Sequence, residues 1–176
     1  MRNVVVLAVS VFALTACSKS IPQDGFKQLK YGMTLAQLRA LGFNCKADDL
    51  CSRDSSAERD ETETLFGHPA TVRLWTEKGL LKSIDVNVDI PQNNLAEEMV
   101  KAFGSPKSFD YTTIRGGRAT QLIWQAPNGT SLSMVRSPDV GSAYSQNFGS
   151  LSYNGKAETA TLLAAAVKAG VKADDF

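Results

Sequence analysis

Cys45 and Cys51 are the residues whose type and spacing most directly indicate chemistry. The five residues between them do not give the C-x-x-C spacing of thiol oxidoreductases, and no further ligands accompany them at the spacing of a metal site. In an oxidising compartment the pair would close a small loop and stabilise the fold by about 2 kcal/mol. The sequence therefore predicts a structural Cys45–Cys51 disulfide and no metal, with a redox-active pair as the alternative.

The chain carries no G-x-S-x-G, no phosphate-binding glycine loop and no H-E-x-x-H motif. His68, the single histidine, precedes Pro69 in an expected turn that provides it with no partner. Asp85, Asn87 and Asp89 share one face of a predicted strand, at a spacing that suits a glycosidase-like or metal-like cluster. An exposed strand face explains them more simply. We therefore predict no catalytic residues and no cofactor, with a glycan-acting enzyme as the least favoured alternative.

Two arginines at a predicted hairpin tip are candidates for binding a partner. Arg115 and Arg118 flank Gly116-Gly117, a dipeptide that suits a two-residue turn. They could bind an anionic group on a protein or a glycan, or simply keep an exposed turn soluble.

Several aromatic and apolar side chains fall off the most apolar register of their strands. Trp75 and Tyr111, together with Phe66 and Ile123, would form an exposed patch that marks a partner site, or would be covered by a C-terminal helix. We favour covering, but keep Trp75 and Tyr111 with the two arginines as possible partner-binding residues.

Composition and charge are those of an ordinary globular protein. The 176 residues are 43% hydrophobic and 21% charged, with a formal net charge of +1. Such a balance gives no reason to expect nucleic-acid binding. The length allows one domain, or two small halves packed closely together.

The N-terminus is typical of a secretory signal. Arg2 supplies a positive start, Val4 to Leu14 is an apolar run broken only by Ser10, and small residues follow. The run of about eleven residues is shorter than the roughly twenty of a transmembrane helix. We therefore predict a signal over residues 1–16.

The last four residues of this region, Leu14-Thr15-Ala16-Cys17, resemble the lipobox of bacterial lipoproteins. The resemblance implies that Cys17 becomes the acylated N-terminus, carrying a diacylglyceryl thioether and a further acyl chain such as palmitate. Two or three chains hold a protein stably on a membrane. Ser18 in place of Asp implies the outer membrane, on its periplasmic face. A soluble periplasmic protein cut near Ala16 and an uncleaved N-terminal anchor are the alternatives.

The positions of proline, glycine and polar residues along the chain predict a lipidated tether over 17–25, a domain over 26–171 and a loose tail over 172–176. Thr34 is placed to cap a short helix that ends at Gly42. The acidic segment 46–63 is expected to be a solvated loop, or else a docking patch. A second helix is predicted from Leu95 to Phe103.

A C-terminal helix is predicted over 156–169, with a narrow apolar stripe of Ala160, Leu163 and Val167. The order of one helix followed by antiparallel strands occurs twice, in halves of about 26–91 and 92–153. We therefore predict an α+β fold in which two tandem helix-plus-sheet units form one compact domain.

Gly32-Met33-Thr34, opening a short helix that ends in Leu41-Gly42 behind a lipobox, resembles the BamE/SmpA outer-membrane lipoproteins. The same Gly-Met-Thr entry into a helix, placed over a doubled antiparallel sheet, resembles the tandem repeat of the β-lactamase inhibitor protein. The chain departs from the first group in being longer and doubled, and in carrying Phe43 where a proline commonly follows the glycine. The resemblance implies a fold family and transfers no functional residue.

These observations favour a lipid-anchored, non-catalytic module that binds another protein of the bacterial cell envelope. The second hypothesis is a periplasmic inhibitor of a hydrolase of the lysozyme or β-lactamase type. The third, an enzyme acting on glycans, requires Asp85 and Asp89 to line one pocket with raised carboxyl pKa values.

Overall fold

The structure, a computed structural model, describes residues 20–45, 50–52, 63–113, 116–136 and 149–170. Cys17, Arg115 and the predicted tail 172–176 lie outside these stretches. So do the signal 1–16 and most of the acidic segment.

Strands outnumber helices in the described chain. In order they are β1 (Gly25–Phe26), β2 (Leu29–Lys30), β3 (Asn44–Cys45), β4 (Leu50–Ser52), β5 (Glu63–Leu65), β6 (His68–Glu77), β7 (Leu80–Val88), β8 (Lys107–Thr112), β9 (Arg118–Gln125), β10 (Ser131–Arg136) and β11 (Gly149–Asn154). The helices are α1 (Leu35–Ala40), α2 (Gln92–Phe103) and α3 (Lys156–Lys168).

One antiparallel sheet unites nine of these strands, while β1 and β2 form a separate hairpin. The order across the sheet is β3-β4-β6-β7-β11-β10-β9-β8, and β5 pairs with the first residues of β6. The predicted mixture of helix and antiparallel sheet, with a C-terminal helix, is confirmed. Strands dominate it, however, and the predicted halves share one continuous sheet because β7 pairs with β11.

Alternation of side chains along β7 divides the sheet into two faces. Ile84, Val86 and Val88 are completely buried, whereas Asp85 and Asn87 point to the opposite side. We call the first the inner face and the second the outer face. The antiparallel register carries both faces across the neighbouring strands.

The main core lies between the inner face and the helices α1 and α2. Leu38 of α1 and Leu95 and Met99 of α2 are completely buried there. Each such side chain stabilises the fold by roughly 1.5–3 kcal/mol. The helix α2 approaches β11 so closely that a Cβ at Gly149 would lie 2.5 Å from Leu95 Cδ2, which only glycine avoids.

The caps of α1 are those predicted from the sequence. The Gln37 backbone N–H donates to the Thr34 hydroxyl, and the Thr34 N–H donates to the Gln37 side-chain oxygen at 2.8 Å. Gly42 has a φ of +86°, and its N–H donates to the Arg39 carbonyl. The predicted helix and both of its ends are therefore confirmed.

The helix α2 begins at Gln92, earlier than the predicted Leu95. Pro91 precedes it with a φ of −53° and no side-chain cap bond. At the other end, the indole Nε1–H of Trp124 donates to the Gly104 carbonyl at 2.8 Å and fixes the end of the helix to β9.

The helix α3 lies against the outer face. The Thr159 hydroxyl is buried 2.9 Å from that of Ser131 in β10 and also donates to the Gly155 carbonyl. Ala166 is completely buried, whereas Val167 is 46% exposed. Of the predicted apolar stripe, Leu163 is half-buried, whereas Ala160 and Val167 are exposed. The buried side of α3 holds Thr159 instead, because the sheet beneath presents hydroxyl groups.

The chain contacts the domain before the predicted end of the tether. The Asn128 side-chain amide donates to the Gln23 carbonyl at 2.8 Å, and the Tyr31 N–H donates to the Asp24 carbonyl at 3.0 Å. Ile21 packs partly buried against the core. The described residues 21–24 are therefore held on the domain rather than free of it.

Cys45 and Cys51 form the predicted disulfide. They are direct cross-strand partners in β3 and β4, and Cys51 in turn opposes Leu74 in β6. Both cysteines are buried, so the bond joins the two short edge strands to the core.

Replacing both Cys45 and Cys51 by alanine should lower the free energy of unfolding by about 2 kcal/mol, because the unfolded chain regains the freedom of the closed loop. Urea unfolding followed by circular dichroism measures the difference. Wild-type protein treated with a reductant should lose a similar amount. Unchanged stability in both samples would contradict a stabilising role for the bond.

Candidate functional site

The described candidates for partner binding lie in two separate places. Trp75 is on β6, whereas Arg118 is on β9, four strand positions away, and Tyr111 is on β8, five positions away. At a strand spacing of about 4.8 Å, these separations are roughly 19 Å and roughly 24 Å across the sheet. Arg115 lies outside the described residues. The predicted set therefore belongs to two surfaces.

Asp85 and Asp89 are not brought together in one pocket. Asp85 lies on the outer face within β7, while Asp89 is exposed beyond the end of that strand. His68 begins β6 and is half-buried, opposite Leu65 of β5. The arrangement required for the glycan-acting enzyme is therefore not met by these two carboxylates.

Trp75 is held in one orientation by two hydrogen bonds in series. Its indole Nε1–H donates to Asp85 Oδ2 at 2.5 Å, and the Ser152 hydroxyl donates to Asp85 Oδ1 at 2.6 Å. The register shifts between Trp75 and Thr76, which marks a bulge of the kind that redirects side chains. The Trp75 side chain remains 43% exposed.

Trp75 forms part of a cleft of about 980 Å³ between the outer face and α3. We call it the outer-face cleft. Its lining residues come from five strands and two helices: Trp75, Thr76, Glu77, Lys82, Ser83, Gln92, Gln121, Ser133, Met134, Val135, Ser150, Ser152, Asn154, Ala157, Glu158, Thr161 and Leu162.

Hydroxyl and amide groups cover the floor of this cleft. The Asn154 side-chain amide donates to the Ser133 hydroxyl at 2.9 Å and reaches that of Ser131 at 3.4 Å. The Gln121 amide donates to the Met134 carbonyl. These buried polar side chains hold one another in place, because a buried polar group without a partner would be costly.

Charged side chains occur at one end of the cleft. Lys82 Nζ lies 2.9 Å from the Glu77 carboxylate and 3.9 Å from that of Glu158. The hydrogen bond with Glu77 raises the pKa of Lys82, and the same bond lowers the pKa of Glu77. The single ammonium offsets one of the two carboxylates, so this end of the cleft keeps one net negative charge.

Two tyrosines contribute no charge near the start of α3. Burial raises the pKa of Tyr31 and of Tyr153 above the usual range of a phenol. The Tyr31 hydroxyl is buried and has no hydrogen-bond partner among the described residues. Both phenols therefore stay neutral at physiological pH.

The second surface is the β8 edge of the sheet. A shallow hollow of about 440 Å³ there is lined by Tyr111 and Arg118. The Tyr111 ring lies 6.1 Å from that of Phe109, and the Thr120 hydroxyl donates to the Asp110 carboxylate at 2.6 Å. No strand in the described stretches pairs with the free side of β8.

Sequence reasoning missed the serines of the outer-face cleft. Ser131 and Ser133 alternate with apolar residues in β10, as do Ser150 and Ser152 in β11, and this alternation is the signal that each pair shares a face. Their position beside Asp85 depends on the pairing of β11 with both β7 and β10, which the alternation does not specify.

Among the described residues, no three His, Cys, Asp or Glu side chains are grouped to hold a metal ion. In the same part of the chain, no helix is long and apolar enough to cross a membrane. Comparisons with protein-family models, with curated proteins and with solved structures find no match for this chain.

Asp85→Ala should release the Trp75 indole, because it removes the acceptor of the Nε1–H. Hydrogen exchange of one of the two indole N–H groups should accelerate, with a stability loss of about 1 kcal/mol. Nuclear magnetic resonance of the indole N–H signals measures the exchange. Asp89→Ala removes an exposed carboxylate beyond β7 and should leave both signals unchanged. Equal exchange in the two variants would argue against the Trp75–Asp85 bond.

Proposed function

We propose that this protein is a lipid-anchored, non-catalytic interaction module of the bacterial cell envelope, on the periplasmic face of the outer membrane. Its lipid would be carried by Cys17, and its partner would be another envelope protein. The observation that carries the proposal is the side of β8 with which no described strand pairs. This six-residue edge strand contains Tyr111, and Arg118 lies beside it on β9. Exposed edges of this kind accept a strand from a second chain.

The direction of the backbone groups in β8 supports strand addition. The Thr113 N–H donates to the Gly117 carbonyl at 2.8 Å. Since hydrogen-bonded and non-bonded pairs alternate in antiparallel sheet, Tyr111 and Phe109 exchange their backbone bonds with β9. The backbone groups of Ser108, Asp110 and Thr112 consequently point away from β9. An added strand would find donors and acceptors there at regular spacing.

Side chains beside this edge are of the types that contribute most to protein interfaces. Tyr111 and Phe109 lie half-buried on the outer face, and Arg118 lies exposed on the inner face. Tyrosine and arginine are enriched among residues that dominate binding energy. A partner strand would be bordered by an aromatic pair on one side and a guanidinium group on the other.

We also propose that the fold consists of two tandem helix-plus-sheet units, which resemble those of the BamE/SmpA lipoproteins and the β-lactamase inhibitor protein. The support for this proposal is the strand order. After α1 come β3, β4, β6 and β7 as sequential neighbours, and after α2 come β8, β9, β10 and β11. The last strands of the two series pair with each other. The same doubled order favours the second candidate function, inhibition of a lysozyme or β-lactamase.

Cys17→Ser should move the protein from the membrane fraction to the soluble periplasm, because the serine hydroxyl cannot carry the thioether-linked acyl chains that hold it. Cell fractionation followed by immunoblotting measures the distribution. The Cys45→Ala/Cys51→Ala variant retains Cys17 and should remain with the membrane. A Cys17→Ser protein that stays membrane-bound would defeat the anchor assignment.

Ser108→Pro should weaken partner binding without breaking the sheet, because the lost N–H points away from β9. With a photo-crosslinking amino acid at Thr112, the yield of a protein adduct in intact cells should fall about fivefold, the equivalent of one hydrogen bond of about 1 kcal/mol. Ser108→Ala keeps the N–H and should retain the yield. Equal adduct yields from Ser108→Pro and Ser108→Ala would reject strand addition. If the captured protein is a hydrolase and this chain inhibits it, the result would favour the second candidate function, inhibition of a lysozyme or β-lactamase.

A further inference from the structure

We propose that the outer-face cleft binds a neutral oligosaccharide, at a site separate from the β8 edge. One sugar ring would stack on the Trp75 indole, and its neighbours would hydrogen-bond to the serine and amide side chains of the floor. This is a second binding activity, and it does not depend on which protein occupies the edge strand.

The Trp75 indole provides a fixed apolar surface. Its Nε1–H is already bonded to Asp85, and Asp85 is held in turn by Ser152, so the ring cannot rotate freely. Almost half of the side chain remains exposed. The C–H face of a pyranose is a flat apolar surface of similar size, and a pre-oriented aromatic ring binds it with little loss of conformational entropy.

The floor beside Trp75 matches the hydroxyl groups of a sugar. Ser83, Ser133, Ser150 and Ser152 come from three adjacent strands on the same face. A serine hydroxyl both donates and accepts hydrogen bonds, as a sugar hydroxyl does. Ser150 is exposed and Ser83 is half-buried, while Ser152 donates its proton to Asp85 and keeps its lone pairs for a ligand. The Gln121 amide donates one N–H to the Met134 carbonyl, which leaves its second N–H and its oxygen at the far side of this group.

The cleft is suited to a ligand without charge. Both oxygens of Asp85 accept hydrogen bonds from the protein, so this carboxylate is occupied. The charged side chains of the lining, Glu77, Lys82 and Glu158, lie together at one end and are mutually paired. One ammonium against two carboxylates leaves the lining with one net negative charge, which disfavours an anionic ligand. A cationic ligand would have to compete with Lys82, which already lies 2.9 Å and 3.9 Å from the two carboxylates.

A sugar fits this cleft better than an extended peptide does. The strands β7, β11 and β10 are interior strands, and each pairs on both sides. Their backbone groups are consequently used within the sheet, which leaves only side chains to contact a ligand. A peptide backbone requires partners at a regular spacing, whereas an oligosaccharide can use irregularly placed hydroxyls. The volume of about 980 Å³ is within the range of small-ligand sites.

The test uses the full chain in phosphocholine micelles, which contain no sugar headgroup, and saturation-transfer nuclear magnetic resonance. The probes are a β-1,4-linked tetramer of glucose, the corresponding tetramer of N-acetylglucosamine, and an uncharged Ser/Gly/Ala hexapeptide. We expect saturable transfer to at least one tetrasaccharide. Trp75→Ala should weaken that binding by about tenfold, because the stacking surface is lost, while Trp75→Phe should retain most of it.

A second variant blocks the floor without removing the tryptophan. Ser150→Arg places a long cation in the cleft from an exposed position and should also weaken binding by about tenfold. Thr64→Arg adds the same side chain on β5, outside the cleft lining, and should bind like the wild type. Circular dichroism melts confirm that each variant is folded.

Three results would overturn the proposal. The first is the absence of transfer to both tetrasaccharides in the wild-type protein. The second is the same affinity in Trp75→Ala and Ser150→Arg as in the wild type. The third is Trp75-dependent binding of the hexapeptide without binding of either sugar, which would assign the cleft to a polypeptide.

Discussion

The antiparallel pairing of β7 with β11 is the interaction on which both faces of the sheet depend. It joins strands that lie more than sixty residues apart, from Gly149 opposite Val88 to Asn154 opposite Ser83. On the inner face it places Leu151 against Val86 and continues the core. A slip of one residue would turn the serines of β11 into that core and expose Leu151 and Tyr153. The apolar inner residues therefore fix the register that also assembles the polar outer face.

The outer face differs from the usual second face of a sheet covered by a helix. Its centre holds hydroxyls and amides rather than an apolar stripe, and α3 meets it through the Thr159–Ser131 contact. A helix packed on a polar layer covers only part of the sheet beneath it. Ile123 on the outer face is buried, while Trp75 stays partly open. The cleft is the space that remains between α3 and the part of the outer face near Trp75.

Local signals were sufficient for the parts of the structure that neighbouring residues determine. These parts all involve short separations: the Thr34 N-cap, the left-handed Gly42, the alternation along β7 and the Cys45–Cys51 bond. The candidate sites depend on distant pairings instead. Ser152 bonds to Asp85 across 67 positions of sequence, and Thr159 faces Ser131 rather than an apolar surface. A single sequence carries the alternation of each strand but not the identity of its neighbour. The predicted stripe of α3 therefore included Ala160 and Val167, which are exposed, and omitted Thr159.

The attachment of residues 21–24 to the domain has a consequence for how the proposed lipoprotein would explore the envelope. Four residue steps separate Cys17 from Ile21, and a fully extended chain spans at most about 3.6 Å for each. The start of the domain, at Ile21, would therefore lie within roughly 14 Å of its lipid. The domain would diffuse in two dimensions, within a thin layer at the membrane surface. The effective concentration of molecules held at the same distance from the membrane would be high, whereas that of molecules beyond the reach of the tether would fall to zero.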